Sequence, residues 1–530
     1  VAPEYAPALM LMSSVQLQRQ DFVQAQANLA KVLEKNPRMS YARRLMVTAY
    51  VGMREPARAL EAIQPLLKEN SDDLAVLNLA GQVYAMNGDF TRSEEYFGRA
   101  ASAEPKNAQY RTRLGASRLA AGETDQAFSD LEAASALDQN NIQADVTLIM
   151  AHLRRNETGK ALEAVKVLEK KKPNDPITLN MKGGVLLASK DVVGARAAFE
   201  KALEVKPDFL PAVTNLARLD VADKKMDAAR KRYEDFVSKN PKNETGYLQY
   251  AEFLAMTGGQ AKDIQALLER GVTAVPTALP IRLALVRLLI QGGDAKRALS
   301  VAQEASAAAP DEPGVLELLG RAQIAAGEHQ QALATFGKLS ARTPNSPIPL
   351  IAMADIQVAT KDLAGAEQSL RKALAIKADS TEAQQRLFAV LLAAKRVDSA
   401  LVIAKDVQKQ RKDSPAGYLL EGDALTVGGK KVEAVAAYDE AFKRDKSGPV
   451  FIRVHVARIA AGQVQEAAKS VTDWFKANPK DLVVRSYLAE RNLVEQKYDQ
   501  AVQQYRQMVE IAPKNPLLLN NLAWALGKMH

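Results

Sequence analysis

Proline recurs along this chain at an interval of 34 residues, and no other feature restricts its fold as much. The recurring residues are Pro3, Pro37, Pro105, Pro173, Pro207, Pro241, Pro276, Pro310, Pro344, Pro479 and Pro513, many of them following an Ala- and Leu-rich stretch. Stepping by the same interval through the gaps lands on Ser71, Gln139, Ala378, Lys412 and Lys446, in comparable polar junctions such as Glu69-Asn70-Ser71-Asp72-Asp73. Sixteen junctions delimit fifteen units. Self-similarity at this period is the signature of a stacked array, in which one supersecondary unit covers the apolar face of the next.

Within a unit the apolar residues are spaced for two short helices. After Pro173, Leu179, Gly183 and Leu186 form one stripe, and Ala195, Phe199 and Ala202 form a second. The unit after Ser71 repeats this with Leu77, Gly81 and Tyr84, then Phe97 and Ala100. Leu316, Leu319, Gly320, Ala332 and Phe336 follow Pro310, and Tyr418, Gly422, Leu425, Ala434, Tyr438 and Ala441 follow Lys412. Residues three and four apart build one buried face per helix. A Gly at the midpoint of the first helix lets the second approach closely. Gly88-Asp89, Gly122-Glu123, Gly327-Glu328 and Gly428-Gly429 mark the turns inside units, where a left-handed residue ends a helix. Pro at the boundary stops one helix and starts the next.

This combination resembles the tetratricopeptide repeat over essentially the whole chain. The resemblance implies an all-α protein, an α-solenoid forming a right-handed superhelix of about fifteen helix-turn-helix units plus one unpaired terminal helix, from Leu517 to Leu526. One continuous array over residues 1–530 is expected, with any bend at Gly258-Gly259 or Gly292-Gly293. The units after Pro37 and Gln139 depart from the pattern, carrying Val47 and Ile149 in place of the midpoint Gly. The units from Pro241 to Pro276 and from Lys446 to Pro479 are one residue long and one residue short.

Composition agrees with a helical array. Hydrophobic residues make up 47% and aromatics only 5%, so the core must come mainly from aliphatic and small side chains. Cysteine is absent, which excludes disulfides, thiolate metal sites and a cysteine nucleophile. A net charge of +9 over 530 residues is a diffuse bias of the kind that serves solubility. No apolar run reaches the roughly 18 residues needed to span a bilayer. The sequence opens on Val1 without an initiator methionine or signal-peptide pattern, and the expectation is that it is a piece of a longer protein with any lipid anchor upstream.

Catalytic patterns are not found, and the chain reads as a non-enzymatic scaffold without cofactor or metal. His152, His329, His455 and His530 lie in different units, so no helical metal pair forms. Gly422 to Lys431 imitates a phosphate loop, but the spacing fails and Lys431 stands where Ser or Thr is required. Glu94 with Glu95 and Asp72 with Asp73 read as solvated or helix-start carboxylates. Lys170-Lys171-Lys172 closes a second helix, and with Lys224, Lys225, Arg230, Lys231 and Arg232 it reads as a solvated face. Interleaved acids and the lack of aromatic platforms argue against nucleic acid.

In proteins similar to this one, first helices line the inner groove and hold extended partner segments. Carrying over the positions seven and eleven residues past each junction gives Arg44, Asn78, Gln82, Asn180, Thr214, Arg218, Glu317, Arg321, Arg453 and Asn520 as groove-lining residues. The expected partners are protein or peptide segments, with an anionic polysaccharide as the alternative ligand. The carboxylate clamp of chaperone-binding members, a Lys or Arg followed four residues later by Asn, is absent: Thr48, Ala222, Ala325 and Ala457 follow Arg44, Arg218, Arg321 and Arg453. The closing segment Leu519-Asn520-Asn521-Leu522-Ala523-Trp524-Ala525-Leu526 and the uninterrupted length resemble the long repeat lipoprotein of exosortase (PEP-CTERM) systems, found with exopolysaccharide genes. That resemblance implies a place on the periplasmic side of the bacterial envelope. The alternatives are a periplasmic arm of a polysaccharide exporter and a substrate-selecting arm of a glycosyltransferase whose catalytic domain lies elsewhere.

Overall fold

A computed structural model of the chain describes residues 5–69, 72–140 and 142–529; Pro3, Ser71 and His530 of the sequence reading lie outside them. Among the described residues there are 31 α-helices and no strand. They fall into fifteen successive pairs and a last helix, so the fold is an all-α solenoid of helix pairs. Two compact units, Val1–Gly246 and Tyr247–His530, divide the chain within one helix.

The first unit holds α1 (Ala6–Gln18), α2 (Phe22–Lys35), α3 (Ser40–Gly52), α4 (Pro56–Glu69), α5 (Leu74–Met86), α6 (Phe90–Ala103) and α7 (Ala108–Ala121). It continues with α8 (Thr124–Leu137), α9 (Gln143–Arg154), α10 (Thr158–Lys171), α11 (Pro176–Ala188), α12 (Val192–Val205), α13 (Leu210–Ala222) and α14 (Met226–Lys239). The division falls in α15 (Glu244–Met256). The second unit goes on through α16 (Ala261–Ala274), α17 (Leu279–Gln291), α18 (Ala295–Ala308), α19 (Pro313–Ala325), α20 (His329–Arg342), α21 (Ile348–Ala359), α22 (Leu363–Ile376) and α23 (Thr381–Ala393). It ends with α24 (Val397–Gln410), α25 (Ala416–Val427), α26 (Lys431–Arg444), α27 (Gly448–Ala460), α28 (Val464–Ala477), α29 (Leu482–Val494), α30 (Tyr498–Ile511) and α31 (Pro516–Gly527).

The core runs from pair to pair. Val47, Ile63 and Leu66 of α3 and α4 pack with Val76 and Ala80 of α5, and Leu131 of α8 joins Ile149 of α9 and Leu168 of α10. Inside a pair, one contact sets the separation. The midpoint of the first helix meets the residue sixteen positions later on the second. A Cβ on Gly81, Gly183, Gly320 or Gly422 would stand 2.4–2.6 Å from the ring of Phe97, Phe199, Phe336 or Tyr438. A ring fills the space a missing side chain leaves. Where the first helix carries bulk, the second carries less: Val47 corresponds to Ile63, Ile149 to Val165 and Phe388 to Ala404, all buried. The two departures noted in the sequence therefore keep the volume that close packing demands by dividing it differently between the helices.

Two polar devices repeat as well. Every turn within a pair holds one left-handed residue, and in eight of the fifteen it is not Gly: Gln20, Arg54, Asn156, Lys190, Lys224, Lys361, Lys395 and Gln496. Several following carboxylates cap the second helix, as Asp89 accepts from the Arg92 amide at 3.1 Å and Asp191 from the Gly194 amide at 2.8 Å. At the junctions, a long side chain six residues on reaches back to the junction carbonyl, which the end of a helix leaves without a partner. Arg43 donates to Pro37 at 2.6 Å, Arg111 to Pro105 at 2.9 Å, Arg485 to Pro479 at 3.0 Å, and Gln384 to Ala378 at 2.9 Å.

Candidate binding face on the first helices

The residues that the resemblance assigned to the groove all lie on first helices, and four of the ten, Arg44, Asn78, Asn180 and Arg453, bond to a neighbouring repeat. Arg44 of α3 pairs with Asp73, the N-cap of α5, at 3.2 Å. Asn78 of α5 accepts a hydrogen bond from Arg113 of α7, and half-buried Gln82 lines a notch beside them. Asn180 of α11 accepts from the Asn215 amide of α13 at 3.0 Å. Thr214 is half-buried on α13, whereas Arg218, one turn further, is exposed. In the second unit Arg321 donates to Glu317 on its own helix at 3.0 Å, and Arg453 of α27 reaches Asp423 of α25. Asn520 is exposed on α31.

Sequence reasoning missed the position eight residues past the junction. Arg113 and Asn215 both occupy it, and each completes a contact between adjacent first helices. The sign to look for was a pair of polar residues 35 apart, because a first helix faces the next with an offset of one residue beyond the period.

Several charges read as solvated are instead built into the interface between pairs. Glu94 of α6 takes a hydrogen bond from Arg118 of α7 at 2.9 Å, and Arg118 also binds Asp130 of α8 at 2.5 Å. The same three repeat positions recur with every sign reversed. Asp220 of α13, 3% exposed in its side chain, accepts from Arg196 of α12 at 2.7 Å and Arg232 of α14 at 2.5 Å. Burial pushes the Asp220 carboxyl upward, and the hydrogen bonds from Arg232 and Arg196 more than reverse it, leaving it below its usual range. Lys171, likewise read as a helix-end cation in water, is 4% exposed and bound to Asp145 at 2.9 Å and the Ser135 hydroxyl at 2.8 Å. Lys171, at the end of a second helix, reaches the first helix of its own pair and the second helix of the preceding one, so burial competes with solvation there.

The remaining candidates for chemistry lie apart. His152 of α9 bonds Glu157 through Nδ1 at 2.8 Å and stacks on Phe128 at 4.4 Å, on the floor of a groove of about 790 Å³ between α8 and α10. His455 of α27 meets the Tyr487 hydroxyl at 2.8 Å, and His329 begins α20. Among the described residues no group of three or more acids and histidines could hold a metal ion. Gly422 packs inside α25 against Tyr438, so the phosphate-loop imitation is helix and turn. No described helix is long and apolar enough to cross a membrane.

A solenoid of helix pairs with a polar, hydrogen-bonding edge on its first helices defines a repeat scaffold for binding other chains. Tetratricopeptide repeat profiles match residues 16–83, 118–181, 186–248, 255–322, 289–356 and 357–424, and a second profile of that description matches 87–142. The chain belongs to the tetratricopeptide repeat family, whose helix-pair arrays serve as protein-interaction scaffolds. No curated protein matches it in sequence. Similar solved structures include a chain of Naa15/Naa10 bound to HypK-THB, at 13% identity over 98% of this chain and 96% of that one, with a TM-score of 0.32. PilF of Pseudomonas aeruginosa is 19% identical over 40% of this chain and 97% of its own (TM-score 0.33). YrrB, a repeat protein with an unusual peptide-binding site, is 19% identical over 35% and 95% (TM-score 0.28).

Proposed function

We propose that this chain is a non-catalytic scaffold that holds extended segments of partner proteins along its first helices, within the polymer-export or protein-sorting machinery of a bacterial envelope. The observation that carries the binding reading is the set of hydrogen-bonding side chains on several first helices of the amino-terminal unit, among them Asn78, Asn180, Thr214 and Asn215. An extended polypeptide offers one amide and one carbonyl per residue, and amide side chains on rigid helices can pair with both. Rigid spacing lowers the entropy lost on binding. The envelope setting rests on the resemblance of Leu519–Leu526 and of the uninterrupted repeats to the exosortase-linked protein.

Affinity capture from envelope extracts tests both parts. The intact chain should retain envelope proteins that a variant carrying Asn180→Ala, Asn215→Ala and Arg218→Ala releases, while Glu163→Ala with Lys166→Ala on the exposed side of α10 has no effect. Equal retention by both variants would remove the first-helix reading; recovery of cytosolic chaperones alone would remove the envelope.

A further inference from the structure

On the first-helix face of the amino-terminal unit, one cation lacks the counter-charge its surroundings call for. Arg113 is half-buried, with its guanidinium 6.0 Å from the centre of the Phe97 ring. Its hydrogen bond goes to the neutral Asn78 amide, and among the described residues no carboxylate stands within ion-pair distance of it. Elsewhere in this unit Arg118 is matched by Glu94 and Asp130, and Arg196 by Asp220 and Asp223. Burial lowers the Arg113 pKa, opposed by the Tyr110 phenol and by no carboxylate. A desolvated cation held by neutral partners is costly to a scaffold and strengthens any anion that arrives.

The space beside it has a definite shape. Gln82, Met86, Phe90, Phe97, Ala116 and Arg113 line an apolar notch of about 380 Å³. That volume admits one or two aliphatic side chains. In α3, α5, α7, α9, α11 and α13, none of the residues four, seven, eight or eleven past the junction is Asp or Glu, whereas Arg44, Arg113 and Arg218 occur among them; Asp73, at the start of α5, is paired with Arg44.

Resting on the reading of this face as a groove for extended segments, we infer that Arg113 and the notch form a subsite for a partner polypeptide carrying an aliphatic residue next to a carboxylate. The side chain fills the space between Met86 and Ala116, and the carboxylate replaces water at the guanidinium. Gln82 and Asn78 remain to hold the backbone on either side.

The test is an array of acetyl-Gly-Ser-Xaa-Zaa-Ser-Gly-amide peptides, with Xaa drawn from Ala, Val, Leu, Ile and Ser, and Zaa from Asp, Glu, Asn and Gln, read with the labelled full chain. Leu or Ile followed by Asp or Glu should be retained on the order of tenfold above the amide counterparts, a difference shrinking with added salt. Arg113→Gln should abolish the preference for the acid and Arg113→Lys keep part of it, while Arg218→Gln leaves it in place. Because no ion pair is lost, Arg113→Gln should unfold at a temperature no lower than the parent. Binding without acid preference, or a preference surviving Arg113→Gln, overturns the subsite and leaves the groove reading standing. A large loss of stability in Arg113→Gln makes the residue structural and overturns it too. Retention of no peptide at all overturns the subsite together with the groove.

Discussion

Single side chains fix the spacing within each helix pair. At Gly183, a Cβ would lie 2.4 Å from Phe199 Cε1, a distance real atoms do not adopt, so the helices would have to part. Gly183→Leu should therefore destabilise by about 1–3 kcal/mol or more from overpacking. Gly183→Ala combined with Phe199→Leu, which mimics the Ala and Leu pairing at Ala354 and Leu370, should recover most of the loss suffered by Gly183→Ala alone. Denaturant midpoints of the three variants measure this, and no recovery in the double variant would mean the ring is not what the glycine accommodates. His455 makes the same environment titratable. Burial, then Arg491 and Arg458, depress its pKa to about 4, against the opposing pull of Glu495; Asp439 pairs with Arg458, and Tyr487 supplies the hydroxyl partner. A base depressed on folding stabilises the folded chain fully above its unfolded pKa of about 6.5 and less as pH falls toward 4. The parent should thus lose about 2 kcal/mol more than His455→Asn between pH 7.5 and pH 5, narrowing the stability gap between them. A gap independent of pH would show that His455 takes up its proton in place.

Between neighbouring helices, the conserved quantity of the design is a relation of positions, since opposite charge patterns occupy the same sites. Glu94, Arg118 and Asp130 are separated by 24 and 12 residues, and Arg196, Asp220 and Arg232 by the same two intervals. Asp220→Arg would gather three guanidiniums where a 3%-exposed carboxylate now sits, and should destabilise the first unit by about 3 kcal/mol or more. Adding Arg196→Glu and Arg232→Asp recreates the pattern around Arg118 and should restore more than half of that. If the triple variant is no better than the single one, the interface does not read charge. The turns offer a milder test. Lys395 holds φ at 58° where Gly327 holds 79° in the corresponding turn, and only the first carries a Cβ penalty in this conformation. Lys395→Gly should gain about 0.5–1 kcal/mol and Gly327→Lys lose a similar amount, the gain being trimmed by the freer unfolded chain. Matching shifts in one direction would rule out backbone strain as the cause.

Across the whole chain, what the sequence made legible was whatever repeats with the period. The helix pairs and the close approach at Gly81, Gly183, Gly320 and Gly422 follow from residues sharing one environment per unit, whereas Ile149 stood out only as a departure until its smaller partner Val165 was seen. Contacts between units were harder to see. Glu94, Lys171 and Arg232 looked solvated because a single helix face says nothing of the helix that will cover it, although the intervals of 12 and 24 between opposite charges were already present. Of the proposed binding face, the placement of its residues on first helices was readable, whereas the contacts of Arg113 and Asn215 were not, since position eight faces the adjacent helix and not the period. This nearest-neighbour construction also governs how damage spreads. Removing the Phe199 ring opens a cavity at a site with no exposure, at a cost of about 3–5 kcal/mol. In a globular core that loss would be shared by everything touching it; in an array it reaches only the pairs that border α11 and α12. Hydrogen exchange of Phe199→Ala should therefore show protection lost from α10 to α13 and kept in α3 to α6. A uniform fall in protection from α3 to α14 would mean that the amino-terminal unit opens as one block, and that the stacked pairs are thermodynamically a single domain.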